Sequence, residues 1–180
     1  HGTANRLKVD LAENARLEVE VTNAVPWPNA RFGGSSLFQA VPGLNQYWHP
    51  YYLGGRASGT VTYGDENWTF DNAKLYAERN WGKGFPLRWW WGQAHDFGDA
   101  DVSVAFSGGL LSLGPIARDV NGVVVRVGTT VIRMTPPTLV RSEIGDNRWR
   151  IWGKSRRYQI ELEGDAISTP TSSISVVVYT

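Results

Sequence analysis

Apolar residues in this chain recur with a period of two rather than 3.6. No window of about eleven residues carries a helical pattern, and alternating runs return about every ten residues between glycine-rich turns. Residues 15–22, ARLEVEVT, show the rule: Leu17, Val19 and Val21 fall on one face and Arg16, Glu18 and Glu20 on the other. Such alternation is that of a half-buried antiparallel strand. Strands are likewise expected over 57–63 and 67–72 around a turn at Gly64, with Val61 and Tyr63 inward and Thr60 and Thr62 outward. Further strands are expected over 101–106 and 110–113, parted by Gly108-Gly109, and in a hairpin, 122–127 with 129–134, around Gly128. A second hairpin, 148–152 with 156–163, turns near Gly153 with Tyr158, Ile160 and Leu162 inward, and 174–179 is a final strand. Pro26 and Pro28 make 23–34 a loop, and Pro42 and Pro50 forbid a long helix over 35–55. The fold class is therefore all-β, an antiparallel barrel or sandwich.

At 180 residues the chain has the length of one domain, and we expect a single β domain over 1–180. A net charge of +1 offers nothing to nucleic acid or an anionic surface as a whole. The small knot of Lys154, Arg156 and Arg157 reads as a solvated strand edge. Without cysteine there is no disulfide scaffold, thiol catalysis or cysteine-bound metal. No apolar run approaches the ~20 residues that span a bilayer, and nothing reads as a secretory leader. A soluble, intracellular protein is the expectation, with the compartment open. Because the chain opens on His1 rather than Met, we also expect it to be a piece of something longer.

Residues 76–97, YAERNWGKGFPLRWWWGQAHDF, hold four of the nine tryptophans. On an extended strand Trp89 and Trp91 point one way and Trp90 the other. Gln93 and His95 continue the Trp89 face, whereas Asp96 falls with Trp90. An apolar wall with polar tips suits a pocket for a large hydrophobic ligand. The same rings would equally well fill the interior of a β fold.

The segment from Tyr47 to Phe97 resembles the tocopherol cyclase family. The resemblance is carried by Trp48, Leu53-Gly54-Gly55, Gly59 and the string Tyr76-x-Glu78-x-Asn80-Trp81-Gly82-x-Gly84-Phe85-Pro86, with Trp89, Trp91 and Gln93 behind it. It implies a lipocalin-like β protein of two related halves, similar in fold to carotenoid 1,2-hydratases, of which this chain would be the C-terminal half. It also implies a cofactor-free reaction that closes a chromanol ring on a prenylated quinol. A prenyl double bond is protonated and the phenol oxygen captures the resulting cation. That chemistry needs a carboxylic acid held protonated by an apolar setting, aromatic faces toward the cation and exclusion of water.

On this resemblance Glu78 is the candidate general acid, oriented by Asn80, with Asp96 as the second candidate acid. Tyr76, Trp81, Phe85, Trp89, Trp91, Gln93, His49 and Trp48 are the candidate substrate contacts, His49 as a partner for a phenol hydroxyl. The residues also fit plainer roles. Glu78 could pair with Arg79 or Arg88, Asp96 could cap a turn at Gly98, and His49 could be a packed histidine. Other functions compatible with the sequence are a lipocalin-like carrier of a hydrophobic isoprenoid ligand, an isoprenoid hydratase and, ranked last, a carbohydrate module. The three histidines show no metal-binding spacing, and no phosphate loop, nucleophile elbow or dinucleotide fingerprint occurs; no metal or cofactor is expected. The expected partner is a hydrophobic small molecule, which would place the protein at the periphery of membranes. Exposed edges of a half-barrel suggest a homodimer.

Overall fold

The computed structural model describes residues 2–3, 5–28, 32–95, 97, 101–113, 116–165 and 173–179. Among them the only helical element is a short 3-10 turn, Ser36–Ala40, and most of the other residues lie in antiparallel strands. The all-β expectation holds. Among the described residues no helix is long and apolar enough to cross a membrane.

The strands are β1 (Arg6–Ala12), β2 (Ala15–Pro26), β3 (Tyr47–Tyr63), β4 (Glu66–Lys74), β5 (Ala77–Trp81), β6 (Trp89–Ala94), β7 (Val102–Leu113), β8 (Ile116–Val127), β9 (Thr130–Met134), β10 (Val140–Ile144), β11 (Arg148–Lys154), β12 (Gln159–Asp165) and β13 (Ser173–Tyr179). They form three sheets: β1-β2-β3-β4 with β5 on β3, β6-β7-β8-β9, and β10-β11-β12-β13. Each runs as an open series of neighbours among the described residues, with no closure into a barrel. Packing groups the chain into two compact units, residues 1–27 with 51–78 and residues 28–50 with 79–180.

In the first unit β2 pairs with β1 on one side and β3 on the other, Val19 opposite both Leu7 and Gly59. The alternation over 15–22 is realised, with Leu17, Val19 and Val21 half-buried. Gly59 is obligatory, because a Cβ there would run into the backbone of Glu18.

The second unit contains two sheets that share one core. Trp90 from β6, Val104 and Phe106 from β7, Val123 and Val125 from β8, and Ile132 and Met134 from β9 form one side. Val140, Ile151, Ile160 and Leu162 from β10 to β12 form the other. Each strand presents every second residue to this core, as the pleat requires. The ring of Phe106 meets that of Trp149 at 4.8 Å.

Several expected boundaries move. Strand β2 continues through Asn23 to Pro26, which we expected to be loop; the left-handed Asn23 (φ 50°) and a register shift between Thr22 and Val25 absorb the irregularity. Strand β3 begins at Tyr47, so Pro50 lies buried inside a strand rather than in a loop. Val102–Leu113 form a single strand, because Gly108 and Gly109 stay paired to Asn121 and Val120 instead of breaking the ladder. The second hairpin turns at 155–158, beyond Gly153. Tyr63 is 67% exposed, contrary to its expected inward face, because it closes β3 at the hairpin tip. Ile160 and Leu162 are fully buried, as expected, with Tyr158 packed beside them.

Leu162→Ala should cost about 2–5 kcal/mol, the range for emptying a closed core site. Leu139→Ala, at a 67% exposed position, should shift stability by no more than about 0.5 kcal/mol. Urea unfolding of the two variants measures the contrast.

Candidate functional site

Strand β6 divides its tryptophans as the alternation predicts. Trp90 is buried, and its indole N–H donates to Asn121 Oδ1 at 2.8 Å, while the Asn121 amide donates to the Val140 carbonyl at 3.0 Å. Gly108 leaves room for this indole, since a Cβ there would overlap it. Trp89 and Trp91 emerge on the opposite face, 52% and 42% exposed, and Gln93 on that face is exposed as well. These rings are thus surface groups of their unit. The closed face of the strand belongs to Trp90.

The Asn80-Trp81-Gly82-x-Gly84-Phe85 segment leaves β5 and settles on the chain at Asn45-Gln46. The Gly84 N–H donates to the Asn45 carbonyl at 3.0 Å. Gly82 adopts φ +142° with its α-carbon against that carbonyl, so any side chain would strike backbone. This glycine is required both by its conformation and by the close approach. Asn45, Gln46, Asn80, Trp81, Gly82, Gly84 and Phe85 line a cleft of about 190 Å³. A cavity of about 150 Å³ admits benzene, whereas pockets for drug-sized ligands run about 300–1,000 Å³. The cleft has the dimensions of one substituted ring, without a long tail.

Trp81 is anchored by its neighbours. Its ring stacks on Tyr47 at 5.3 Å and 14°, and the Arg79 guanidinium lies 4.8 Å from the ring centroid. The His49 ring is 6.0 Å away. His49 is buried, and its Nδ1 lies 2.9 Å from the Gln39 side-chain nitrogen. Burial, followed by the positive charge of Arg79, holds His49 below the ordinary imidazole pKa. A neutral ring can accept the Gln39 amide proton at Nδ1 and present N–H at Nε2. Gly33, left-handed at φ +51°, closes against the same imidazole.

Trp48 is a core residue. Its indole presses on Gly34, where a Cβ would overlap it, and its backbone N–H donates to Ser35 Oγ at 2.8 Å. With Phe38, Leu44, Gln46 and the glycines of β7 and β8 it borders a smaller space of about 60 Å³.

In the first unit, the Tyr76 hydroxyl donates to Glu78 Oε2 at 2.6 Å. The two side chains share a face of the extended chain, as the i, i+2 spacing requires, and both are half-buried. The bond orients the carboxyl group. Asn80, on the same strand β5, is exposed. Asp96 lies outside the described residues. Among the described residues no group of three or more histidine or acidic side chains is arranged to hold a metal ion.

Sequence reasoning did not reach Gln39 or Asn45. Gln39 is the partner of His49 and Asn45 the seat of the Gly82 loop, yet each acts across a fold-back that no local pattern signals. Gly82 was the available clue that another backbone had to approach.

The sequence profile of the tocopherol cyclase-like family matches residues 7–177. The chain belongs to the tocopherol cyclase-like family. It is 28% identical over 150 residues to a protein of Oryza sativa subsp. japonica named probable tocopherol cyclase, chloroplastic; the match covers 77% of this chain and 32% of that protein. It is 26% identical over 182 residues to the tocopherol cyclase, chloroplastic, of Zea mays, covering 92% of this chain and 38% of that protein. The chain therefore spans about a third of the length of these relatives. No solved structure matches.

The depressed His49 pKa has a consequence for stability. Unfolded chain takes up the imidazole proton near pH 6.5, and the folded protein does so only at lower pH. Between those values the unfolded state binds more protons, so stability falls as pH falls. The urea midpoint should drop as the pH is lowered from about 7.5 to about 5.5, one unit either side of the free imidazole value. His49→Gln should remove that share of the slope.

Proposed function

We propose that this chain carries the proton-donating part of a cofactor-free cyclase acting on a prenylated quinol, with Glu78 as the acid. The Glu78 proton passes to the prenyl double bond and leaves a tertiary cation. The phenol oxygen then forms the C–O bond, and its proton returns to the carboxylate. Bonds and protons balance without oxidant or metal, and the product is an isomer of the substrate.

The observation that carries this reading is the half-buried Glu78 carboxyl held by the Tyr76 hydroxyl, both within the family's matched span. A phenol at 2.6 Å fixes the plane of the acid and so the direction of proton delivery. The names of the rice and maize relatives support the reaction class. Taken by itself, the second unit offers a cleft of about 190 Å³, lined by Asn80, Trp81 and Phe85 among others, that would admit an aromatic ring, and Tyr47 and Arg79 hold Trp81 still beside it.

The test is cyclisation of a short-chain prenylated hydroquinone, followed by chromatography of the chromanol. Glu78→Gln should lower the rate by about 10²–10⁴, the usual worth of a positioned acid. Tyr76→Phe, which keeps the acid and loses its orientation, should cost about tenfold in kcat with KM little changed. A Glu78→Gln protein that turns over at the parent rate ends the assignment. Retained binding with no turnover in the parent chain would favour a carrier.

A further inference from the structure

We infer that the segment 85–91, Phe-Pro-Leu-Arg-Trp-Trp-Trp, is a docking surface for an anionic lipid bilayer. Four large apolar side chains face solvent within these seven residues: Phe85 at 60%, Leu87 at 102%, Trp89 at 52% and Trp91 at 42% exposure. Leu87 is the extreme case. It stands clear of the protein on the turn that leads into β6, where a core or a groove would have covered it.

The arrangement is imposed by the fold. Trp90 is drawn inward by Asn121 and Gly108, so the pleat must turn Trp89 and Trp91 outward. Pro86 is buried beneath the turn, and Phe85 packs on Trp89, so the apolar side chains are presented by a braced turn.

Charge distinguishes the occupant. From Arg79 to His95 there is no acidic residue, and Arg79, Lys83 and Arg88 are interleaved with the rings. The whole chain, by contrast, carries only +1. Arg88 reaches Asp119 at 2.7 Å yet remains 63% exposed. Lys83 is exposed too. Indoles at the headgroup level, one or two aliphatic side chains below them and cations beside them are the composition of a membrane-interface anchor. The basic groups complement anionic headgroups.

This inference does not depend on the proposed reaction, although a surface of this kind would give a lipid-soluble substrate a route to the cleft that Phe85 lines. The experiment is co-flotation of the chain with vesicles of phosphatidylcholine containing phosphatidylglycerol and, in parallel, with vesicles of phosphatidylcholine alone. Binding to the anionic vesicles with a blue shift of tryptophan emission is expected, weakening as salt screens the cations. Leu87→Glu should lower the partition coefficient at least tenfold, whereas Leu139→Glu, an exposed apolar site elsewhere in the same unit, should leave it unchanged. A fully exposed position should tolerate the glutamate, which an unchanged thermal melt would verify. Equal binding by the parent and Leu87→Glu proteins overturns the proposal. So does the absence of flotation with either vesicle, or a Leu87→Glu effect confined to self-association. Cyclisation of a water-soluble short-chain quinol by the Leu87→Glu protein separates the two proposals, since that activity should persist when vesicle binding is lost.

Discussion

The second unit depends on one buried polar contact. Trp90 brings an indole N–H into an apolar interior, where leaving it unpaired would cost about 1–3 kcal/mol. Asn121 meets it from β8 and passes its own amide protons to the carbonyl of Val140 on β10. A single asparagine thus ties three strands drawn from both sheets of the core. Gly108 must be bare for the indole to lie there, and the glycine pair in β7 therefore continues the ladder where a loop was expected. The outward display of Trp89 and Trp91 is the other half of the same constraint.

A second constraint shapes the family string. Gly82 allows the chain leaving β5 to lie on the backbone at Asn45, where any side chain would strike it, and the cleft lies beside this contact. The aromatic and amide residues of the string become a lining by this approach. Trp81 is then locked by Tyr47, Arg79 and His49, and the imidazole is kept neutral by the same burial that positions it. The cleft is lined by the rings of Trp81 and Phe85 together with the amides of Asn45, Gln46 and Asn80.

The outlines of the fold were legible because the pleat writes itself into the sequence. Alternation located β2, the inward Ile160 and Leu162, the hairpin at Gly128 and the opposed faces of the three tryptophans. It could not say which tryptophan face is closed. Equal hydrophobicity on both faces of β6 leaves that choice to partners thirty residues away, and we expected the Trp89 face to wall a pocket. Pro50 and Gly108-Gly109 misled in the other direction. Breakers are tolerated inside strands where a neighbouring ring or backbone needs the space. We expected Asn80 to orient Glu78 and Tyr76 to contact substrate, yet it is Tyr76 that bonds the carboxyl from two residues before it, while Gln39 and Asn45 reach their partners through a fold-back with no periodic signature.

The sequence by itself determined an antiparallel β protein of the tocopherol cyclase-like family with a dense family string between Tyr76 and Gln93, because strand period, turn glycines and a dense local string are properties of neighbouring residues. Only the tertiary structure decided that Trp90 is interior and Trp89 and Trp91 exterior, that His49 is buried against Gln39, and that Gly82 seats the string on the Asn45 backbone beside a cleft of about 190 Å³. Those outcomes depend on which distant backbone approaches which face, and the physical cost of an unpaired indole or a misplaced Cβ is settled only when that neighbour arrives.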